Sequence, residues 1–396
     1  MSSKYDRVKV KVYLSEEHFY TLSRFILSRV LASCKLPTTV AVCVSLAVKK
    51  LLVDREMLNI SQAELERSTL LVMAQHGYGN AHGRFLHLMS RFFIERIPLI
   101  VFIAGTGCCG KTAIARGLSV KLNTHNIVST EVLFDILKAS YDVFSSIPHY
   151  HGDDTHVDTG VLQQEGEHSL WLLEAESEEG FVERWRTLAK LVRPLVQEEV
   201  EKALREGRVL IVEGSLLDLS LYHSYLVKDF QEEYGVVTVA FYVSSDKLSR
   251  SLAADRLLNT IRNKPSSICN NDNVVASEAL QRRLSTIGAL HLKMLQGENN
   301  RMRLRPIDGR VEDVSCPSDD CNITQRCAEH FSPVSCENEQ EIVEVYHVEY
   351  SESTSLRPCE LMHGLVVDKV ISALKQREMT KKCGANAADG LDVVAC

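Results

Sequence analysis

The sequence lacks an apolar run long enough to span a membrane, and its first residues lack the apolar segment of a secretory signal. It also lacks an excess of one charge, because its formal net charge is -7 over 396 residues, with acidic and basic side chains interspersed. A nucleic acid or a membrane is therefore not expected as the main partner. We expect a soluble protein of the cytoplasm.

Tight C-x2-C pairs of the kind that structural zinc sites use are also missing, although the chain has 12 cysteines. One looser group lies in a polar stretch near the C-terminal end and allows two interpretations, a zinc site or a flexible cysteine-bearing loop. Its wide spacing favours the loop. The group consists of Cys316, Cys321, Cys327, His330 and Cys336.

One glycine-rich segment has the spacing G-x-x-x-x-G-K-[ST], and it lies between an apolar strand-like run and a helix-forming stretch. Such glycines let backbone N–H groups surround a polyphosphate, while the lysine adds positive charge and the hydroxyl can bind Mg²⁺. A merely glycine-rich strand-to-helix turn is the alternative. We predict a site for ATP and Mg²⁺ formed by Gly105, Thr106, Gly107, Cys108, Cys109, Gly110, Lys111 and Thr112.

The two thiols of this loop, Cys108 and Cys109, precede a predicted helix. Thiols at a helix N-terminus tend to have a lowered pKa. We therefore predict that alkylation or oxidation there blocks nucleotide binding.

Strand and helix patterns alternate after the phosphate loop, which predicts an α/β fold with a parallel sheet flanked by helices, as in P-loop NTPases of the kinase type. A mainly helical domain is expected before this core, with Ser15 capping a helix that carries Phe19 and Leu22, and with a capping box at Ser61 to Glu64. The predicted parts are a helical domain (1–96), a kinase core (97–310) with an acidic insertion (142–180), a polar insertion followed by a strand and a closing helix packed on the core (311–377), and a disordered tail (378–396).

Two carboxylates follow apolar strands that end near the phosphate loop, where parallel sheets form their sites. Glu213 is predicted to reach Mg²⁺ or to act as a base, although a strand-end acid that faces solvent would look the same. Glu131 is predicted to orient an acceptor hydroxyl, or alternatively to cap a helix. Thr112 and Glu213 are thus the predicted metal-binding pair.

Arginines on one predicted helix, Arg250 and Arg256, lead into a polar loop. A mobile arm of this kind can close over a transferring phosphate and exclude water. A solvated helix face is the alternative interpretation.

Four stretches together resemble a known family: Leu-Ser-Arg at 22–24, the phosphate loop, Ser-Thr-Glu at 129–131 and Glu-Gly at 213–214. They resemble archaeal 2-phosphoglycerate kinase and the related plant proteins linked to phytic acid synthesis, over roughly residues 5 to 308 and the closing helix. The resemblance implies a P-loop kinase core behind an ATP-cone-like regulatory domain. It also implies transfer of the γ-phosphate of ATP to a small phosphorylated or polyhydroxyl acceptor.

The chain departs from that family on the acceptor side. Phe134 stands where the family has an arginine, Leu216 where it has a histidine, and Leu248 where it has another histidine, whereas Tyr150 and His151 match. Two functions therefore stay open: a kinase of a small anionic or polyol acceptor, and an ATP-binding regulatory or scaffold protein that has lost its acceptor pocket. A polynucleotide kinase is disfavoured by the acidic charge balance.

Overall fold

The computed structural model describes residues 4–107, 109–145, 177–245, 251–252, 282, 285–286, 288–289, 302–307, 343–351 and 356–389. The cysteine group between Cys316 and Cys336 lies outside these residues, so its metal binding stays a prediction.

The centre of the fold is a six-stranded sheet whose strands all run parallel, as the alternation of strand and helix patterns predicted. Its strands are β4 (Leu99–Gly105), β5 (Ile127–Ser129), β6 (Val209–Gly214), β7 (Val237–Ser245), β8 (Met302–Pro306) and β9 (Val343–Tyr350). They lie in the order β5-β6-β4-β7-β9-β8. The strand predicted after the polar insertion corresponds to β9, which lies inside the sheet between β7 and β8.

Eleven helices are bounded within the described residues, with a short 3-10 turn at Leu219–Tyr222, and the described residues between 251 and 289 are also helical. Their bounds are α1 (Lys4–Arg7), α2 (Arg24–Ser33), α3 (Thr38–Asp54), α4 (Gln62–Gln75), α5 (Asn80–Ile94), α6 (Lys111–Lys121), α7 (Thr130–Ser145), α8 (Glu178–Glu206), α9 (His223–Leu226), α10 (Lys228–Glu233) and α11 (Leu356–Asp389). The closing helix α11 therefore extends past Arg377, into the segment that was expected to be a disordered tail.

Strand β4 is buried along its whole length because helices cover both faces of the sheet. Its residues alternate between two apolar cores, with Val101 in one and Phe102 in the other. The first core contains α6, α11 and the helices of the N-terminal region. The second contains α8, with the fully buried Trp185, and the segment after β6.

The N-terminal region combines helices with a small sheet of β1 (Lys11–Tyr13), β2 (Phe19–Thr21) and β3 (Asn59–Ser61). The capping box at Ser61 and Glu64 is confirmed at the start of α4. The helix expected after Ser15 was wrong, because Phe19 pairs with Tyr13 in an antiparallel hairpin and the helix begins only at Arg24.

The N-terminal region packs directly on the core and shares one continuous apolar cluster with it. Arg29 Nη1 on α2 donates to Asn123 Oδ1, 3.0 Å away, just beyond the end of α6. Lys35 Nζ lies 2.6 Å from Asp368 Oδ1 on α11. The first contact joins the N-terminal region to the end of α6, the helix that follows the phosphate loop, and the second joins it to α11.

None of the helices in the described part of the chain combines the length and the apolar character that crossing a membrane would require.

Candidate active site

The phosphate loop joins the end of β4 to the start of α6. Gly110 precedes the helix with a φ of 78°, in the left-handed region that favours glycine. A Cβ added at Gly110 would also come within 2.8 Å of the Tyr350 ring. The second glycine of the motif is therefore required by both its backbone conformation and its closest neighbour.

The loop lies at the point where the strand order of the sheet reverses. Strand β4 pairs with β6 on one side and with β7 on the other, and both partners come later in the chain. In open parallel sheets a crevice forms outside the carboxyl ends of the strands at such a point. The carboxyl ends of β4, β6 and β7 therefore surround the predicted phosphate site.

Lys111, the first residue of α6, is only 5% exposed. Its Nζ donates to the carbonyl oxygen of Thr106, 2.6 Å away inside the loop. The side chain is thus folded back over the loop, and its charge lies close enough to affect the carboxylates and thiol around it.

Thr112 and Glu213 are brought together from positions far apart in the sequence. Thr112 Oγ1 donates to Glu213 Oε1 at 3.1 Å, and Glu213 is 1% exposed, so a carboxylate that faces solvent was the wrong alternative. Burial and the negative charge of Glu131 raise the pKa of Glu213, against the opposing effects of Lys111 and the hydroxyls of Thr112 and Ser129. This carboxylate is held in a place that disfavours its ionised form.

Glu131 lies in the first turn of α7, and both of its carboxylate oxygens accept hydrogen bonds. Oε1 accepts from the backbone N–H of Ser215 at 2.7 Å and from its Oγ at 2.6 Å. Oε2 accepts from Ser129 Oγ at 3.1 Å and from Thr130 Oγ1 at 3.0 Å. Burial opposes ionisation of Glu131, but the charge of Lys111 and the hydrogen bonds of Ser215 outweigh it, so the pKa of Glu131 lies below its usual value.

Gly214 makes this arrangement possible, because it separates Glu213 from Ser215 at the end of β6. Its φ is 154°, and a Cβ there would overlap Thr130 Oγ1. The end of β6 can therefore approach the start of α7 closely enough for Ser215 to reach Glu131.

Cys109 differs from the prediction made for the loop thiols. Its side chain is fully buried, and its Sγ donates to the Thr106 carbonyl oxygen at 3.0 Å. Burial raises the pKa of the Cys109 thiol, although the charge of Lys111 opposes this. The predicted lowering was wrong for Cys109 because the loss of hydration outweighs the nearby positive charge. Cys108 lies outside the described residues.

We accordingly expect iodoacetamide to leave Cys109 unmodified in the folded protein and to label Cys43, which is exposed. Fragment-ion mass spectrometry after a brief exposure at neutral pH would report each site separately from Cys108. Labelling of Cys109 as fast as Cys43 would contradict the buried, protonated thiol.

The structure also shows where the departures from the family fall. Phe134 is 9% exposed and Leu216 is 1% exposed, and both belong to the apolar core beside α8. They therefore contribute packing at positions where a charged or polar side chain was expected. Other predicted residues lie outside the described part of the chain: Tyr150, His151, Leu248, Arg250 and Arg256.

Four further polar residues near the site were missed by the sequence analysis. Ser129 and Ser215 both donate to Glu131, and Ser129 also hydrogen-bonds Glu213. His347 Nε2, in the middle of β9, lies 2.8 Å from Ser244 Oγ near the carboxyl end of β7. The same rule that selected Glu213, a polar residue at the end of an apolar strand, would also have selected Ser244 but not His347, which lies within β9.

Within the described residues, no group of three or more His, Cys, Asp or Glu side chains is placed to hold a metal ion. A site with one carboxylate and one hydroxyl, as at Glu213 and Thr112, suits Mg²⁺, which usually keeps several waters and binds substrate phosphates as well. The residues present therefore fit that ion when phosphates supply further oxygens.

An all-parallel sheet with a glycine-rich phosphate loop at its switch point defines an α/β protein with the P-loop NTPase fold. No family model matches the chain. The chain is 22% identical over 194 residues to 2-phosphoglycerate kinase from Pyrococcus horikoshii, and the aligned region covers 48% of this chain and 60% of that kinase. It is 24% identical over 116 residues to 2-phosphoglycerate kinase from Pyrococcus furiosus, and the aligned region covers 29% of this chain and 38% of that kinase.

These two matches indicate a distant relationship to P-loop kinases. Each of them spans less than two thirds of the relative's own length. A solved structure, the full-length tRNA isopentenylpyrophosphate transferase from Bacillus halodurans, aligns with 71% of this chain and 99% of its own chain at 10% identity and a TM-score of 0.33. That TM-score is too low for the alignment to bear on fold or function.

Proposed function

We propose that this protein is a Mg²⁺- and ATP-dependent phosphotransferase that acts on a small phosphorylated or polyhydroxyl acceptor, such as 2-phosphoglycerate or an inositol phosphate. The main supporting observation is the contact between Thr112 and Glu213, at 3.1 Å beside the phosphate loop. A hydroxyl of this loop next to a strand-end carboxylate is the pair that P-loop enzymes use at the metal. The distant likeness to 2-phosphoglycerate kinases supports the same class of reaction.

The nucleotide side of this proposal uses the backbone of the loop and Lys111. The loop N–H groups and the N-terminus of α6 attract the polyphosphate, and the Lys111 ammonium, now on the Thr106 carbonyl, is within the loop to pair with it. A phosphate oxygen would compete with that carbonyl for the same donor. Lys111 then stabilises the negative charge that develops during transfer.

Thr112 and Glu213 would hold Mg²⁺, whose charge would neutralise the phosphates when it is bound. Glu213 must be ionised to bind a cation, and its raised pKa makes this binding sensitive to pH. Lys111 and the Thr112 hydroxyl favour the ionised form and keep the carboxylate oriented toward the loop.

On the acceptor side, Glu131 is proposed as a positioning residue. Its carboxylate holds Ser215 and so fixes the turn after Glu213 against the start of α7. Orienting an acceptor hydroxyl, the role first predicted for Glu131, would require it to exchange one of these bonds. Arg250 and Arg256 remain the proposed groups for the transferring phosphate.

A second candidate function is an ATP-binding regulatory or scaffold protein with little kinase activity. The burial of Phe134 and Leu216 in the apolar core favours it, because neither side chain can contact an anionic acceptor from there. This candidate keeps the nucleotide chemistry and differs only on the acceptor side.

The test is Mg²⁺-dependent ATP consumption by the purified protein, with and without a pool of phosphoglycerates and inositol phosphates. We expect the pool to stimulate wild-type turnover, and Lys111→Ala to reduce the stimulated rate by about 10²-fold or more. Lys121→Ala, in the last turn of the same helix, is the matched control and should keep its activity.

Binding of ATP measured in parallel separates the two candidates. Nucleotide binding without any stimulation by the pool would contradict the kinase and favour the regulatory function. Absence of nucleotide binding would contradict both.

A further inference from the structure

A cavity of about 210 Å³ lies in the N-terminal region, between the β1–β2 hairpin and helices α2, α4 and α5. Its walls are mostly apolar: Leu22, Leu27, Leu65 and Leu86 are each less than a tenth exposed, and Ile26 and Ile94 are about half exposed. Because helices and strands carry these residues, the cavity is already formed. Concave sites lined by apolar side chains with a few polar groups are the usual form of small-molecule sites.

The polar groups of this cavity form a chain of hydrogen bonds on one side. Tyr20 donates its hydroxyl to Gln62 Oε1 at 2.8 Å, and Gln62 Nε2 donates to Glu66 Oε1 at 3.1 Å. His87 Nδ1 lies 3.1 Å from the other oxygen of Glu66, whose side chain is 19% exposed. Burial, together with the negative charge of Glu66, raises the pKa of Tyr20 to about 12. The polar side of the cavity is therefore electronegative.

Residues that would hold a polyphosphate are missing from this cavity. No lysine or arginine is among the residues that line it, all of which the structure describes. The N-terminus of α4 also borders the cavity, but the capping box of Ser61 and Glu64 already occupies that end of the helix. An anion placed here would meet the Glu66 carboxylate with no lysine or arginine in the cavity wall to offset the repulsion.

We propose that this cavity binds a small molecule with an apolar body and a hydrogen-bond-donating end that is neutral or cationic, and that it does not bind a nucleotide. The apolar body lies against the leucines of α2 and α4, and the donating end faces Glu66. This differs from what the resemblance to an ATP-cone implies for the N-terminal region. The inference is independent of the proposed kinase activity.

The test uses three probes that share one ring and differ in charge: benzylamine, benzyl alcohol and benzoate. Saturation-transfer NMR on the full chain should show binding of the amine and the alcohol, with benzoate at least about tenfold weaker. Ile26→Trp, at a half-exposed position of the cavity wall, should abolish binding of both. Glu66→Gln should weaken binding of benzylamine severalfold more than binding of benzyl alcohol. Glu198 is an exposed acid on α8, and Glu198→Gln should leave the binding of both probes unchanged.

Four results would each overturn the proposal: no binding of any probe, equal binding of benzoate, unchanged binding to Ile26→Trp, or competitive displacement of benzylamine by ATP. Circular dichroism of each variant checks that the fold is kept. Since the phosphate loop is not involved, failure here would leave the kinase proposal untouched, and failure of the kinase proposal would leave this one intact.

Discussion

Replacing Glu213 by glutamine is expected to reduce Mg²⁺-dependent ATP turnover by about 10²-fold or more while leaving the protein at least as stable as the wild type. The activity falls because an amide cannot supply the negative charge that the metal needs. The change keeps the size of the side chain and an oxygen that can accept from Thr112. Loss of activity would therefore not come from loss of packing.

The free energy of unfolding should not fall with the activity in Glu213→Gln, and it should stay the same or rise. The reason is that the pKa of Glu213 is raised in the folded protein. A carboxyl group with a raised folded-state pKa contributes its full stability below the pKa of the unfolded chain. That contribution is lost as the pH rises through the folded value. At neutral pH the ionised Glu213 is therefore a cost to folding, and the neutral amide removes it.

Turnover and thermal unfolding at pH 7 would be measured on the same preparations. Glu233→Gln, an exposed acid on α10, is the matched control and should change neither quantity. A variant that unfolds at a lower temperature than the wild type would contradict the raised pKa. A variant with normal turnover would contradict a metal-binding role for Glu213.

Local sequence patterns predicted the centre of the sheet well, because β4, β6 and β7 are apolar runs that end in glycine or polar residues. Glu213 lies at the end of β6 as predicted, and the strand-end rule placed it next to the phosphate loop. The capping box of α4 was equally local, since Ser61 and Glu64 contact each other. Such features need no knowledge of the rest of the fold.

The start of the chain shows where local patterns fail. Phe19, Phe25 and Ile26 recur at helical spacing, but they are 48%, 63% and 54% exposed. A spacing rule assumes that apolar residues face a core, and these residues instead lie on the surface around the hairpin and α2. Pairing of Phe19 with Tyr13 decided the structure of this segment.

The environment of Glu131 could not be predicted because its partners come from distant segments. Ser215 follows β6, and its approach to Glu131 leaves no room for a Cβ at Gly214. Burial of Phe134 and of Cys109 likewise depends on α8 and on the turn of the phosphate loop. Contacts of this kind depend on the order of strands in the sheet, which a local pattern does not contain.

Replacing Glu131 by alanine is expected to lower the free energy of unfolding by on the order of 2 kcal/mol or more at neutral pH. The change removes the acceptor of four hydrogen bonds, leaves the Ser215 N–H without that acceptor and removes one of the two carboxylates close to Lys111. Because the pKa of Glu131 is lowered, its contribution is present above the pKa of an unfolded carboxyl group and is lost as the pH falls through the folded value. The difference in the free energy of unfolding between wild type and variant should therefore become smaller at acidic pH, as urea unfolding at several pH values would show.

Glutamine at the same position distinguishes a positioning role from contact with the acceptor. Since the charge of Glu131 raises the pKa of Glu213, Glu131→Gln should lower that pKa. The fall in ATP turnover on the acid side of the pH profile should therefore move to lower pH. If Glu131 only positions Ser215, the KM for the acceptor should change little in Glu131→Gln. A different result would show that Glu131 contacts the acceptor directly. In that case Glu131→Gln would keep the wild-type stability and the wild-type pH dependence of turnover, and kcat would fall only when the acceptor is present. The acceptor hydroxyl would then be the only group whose contact with Glu131 is lost.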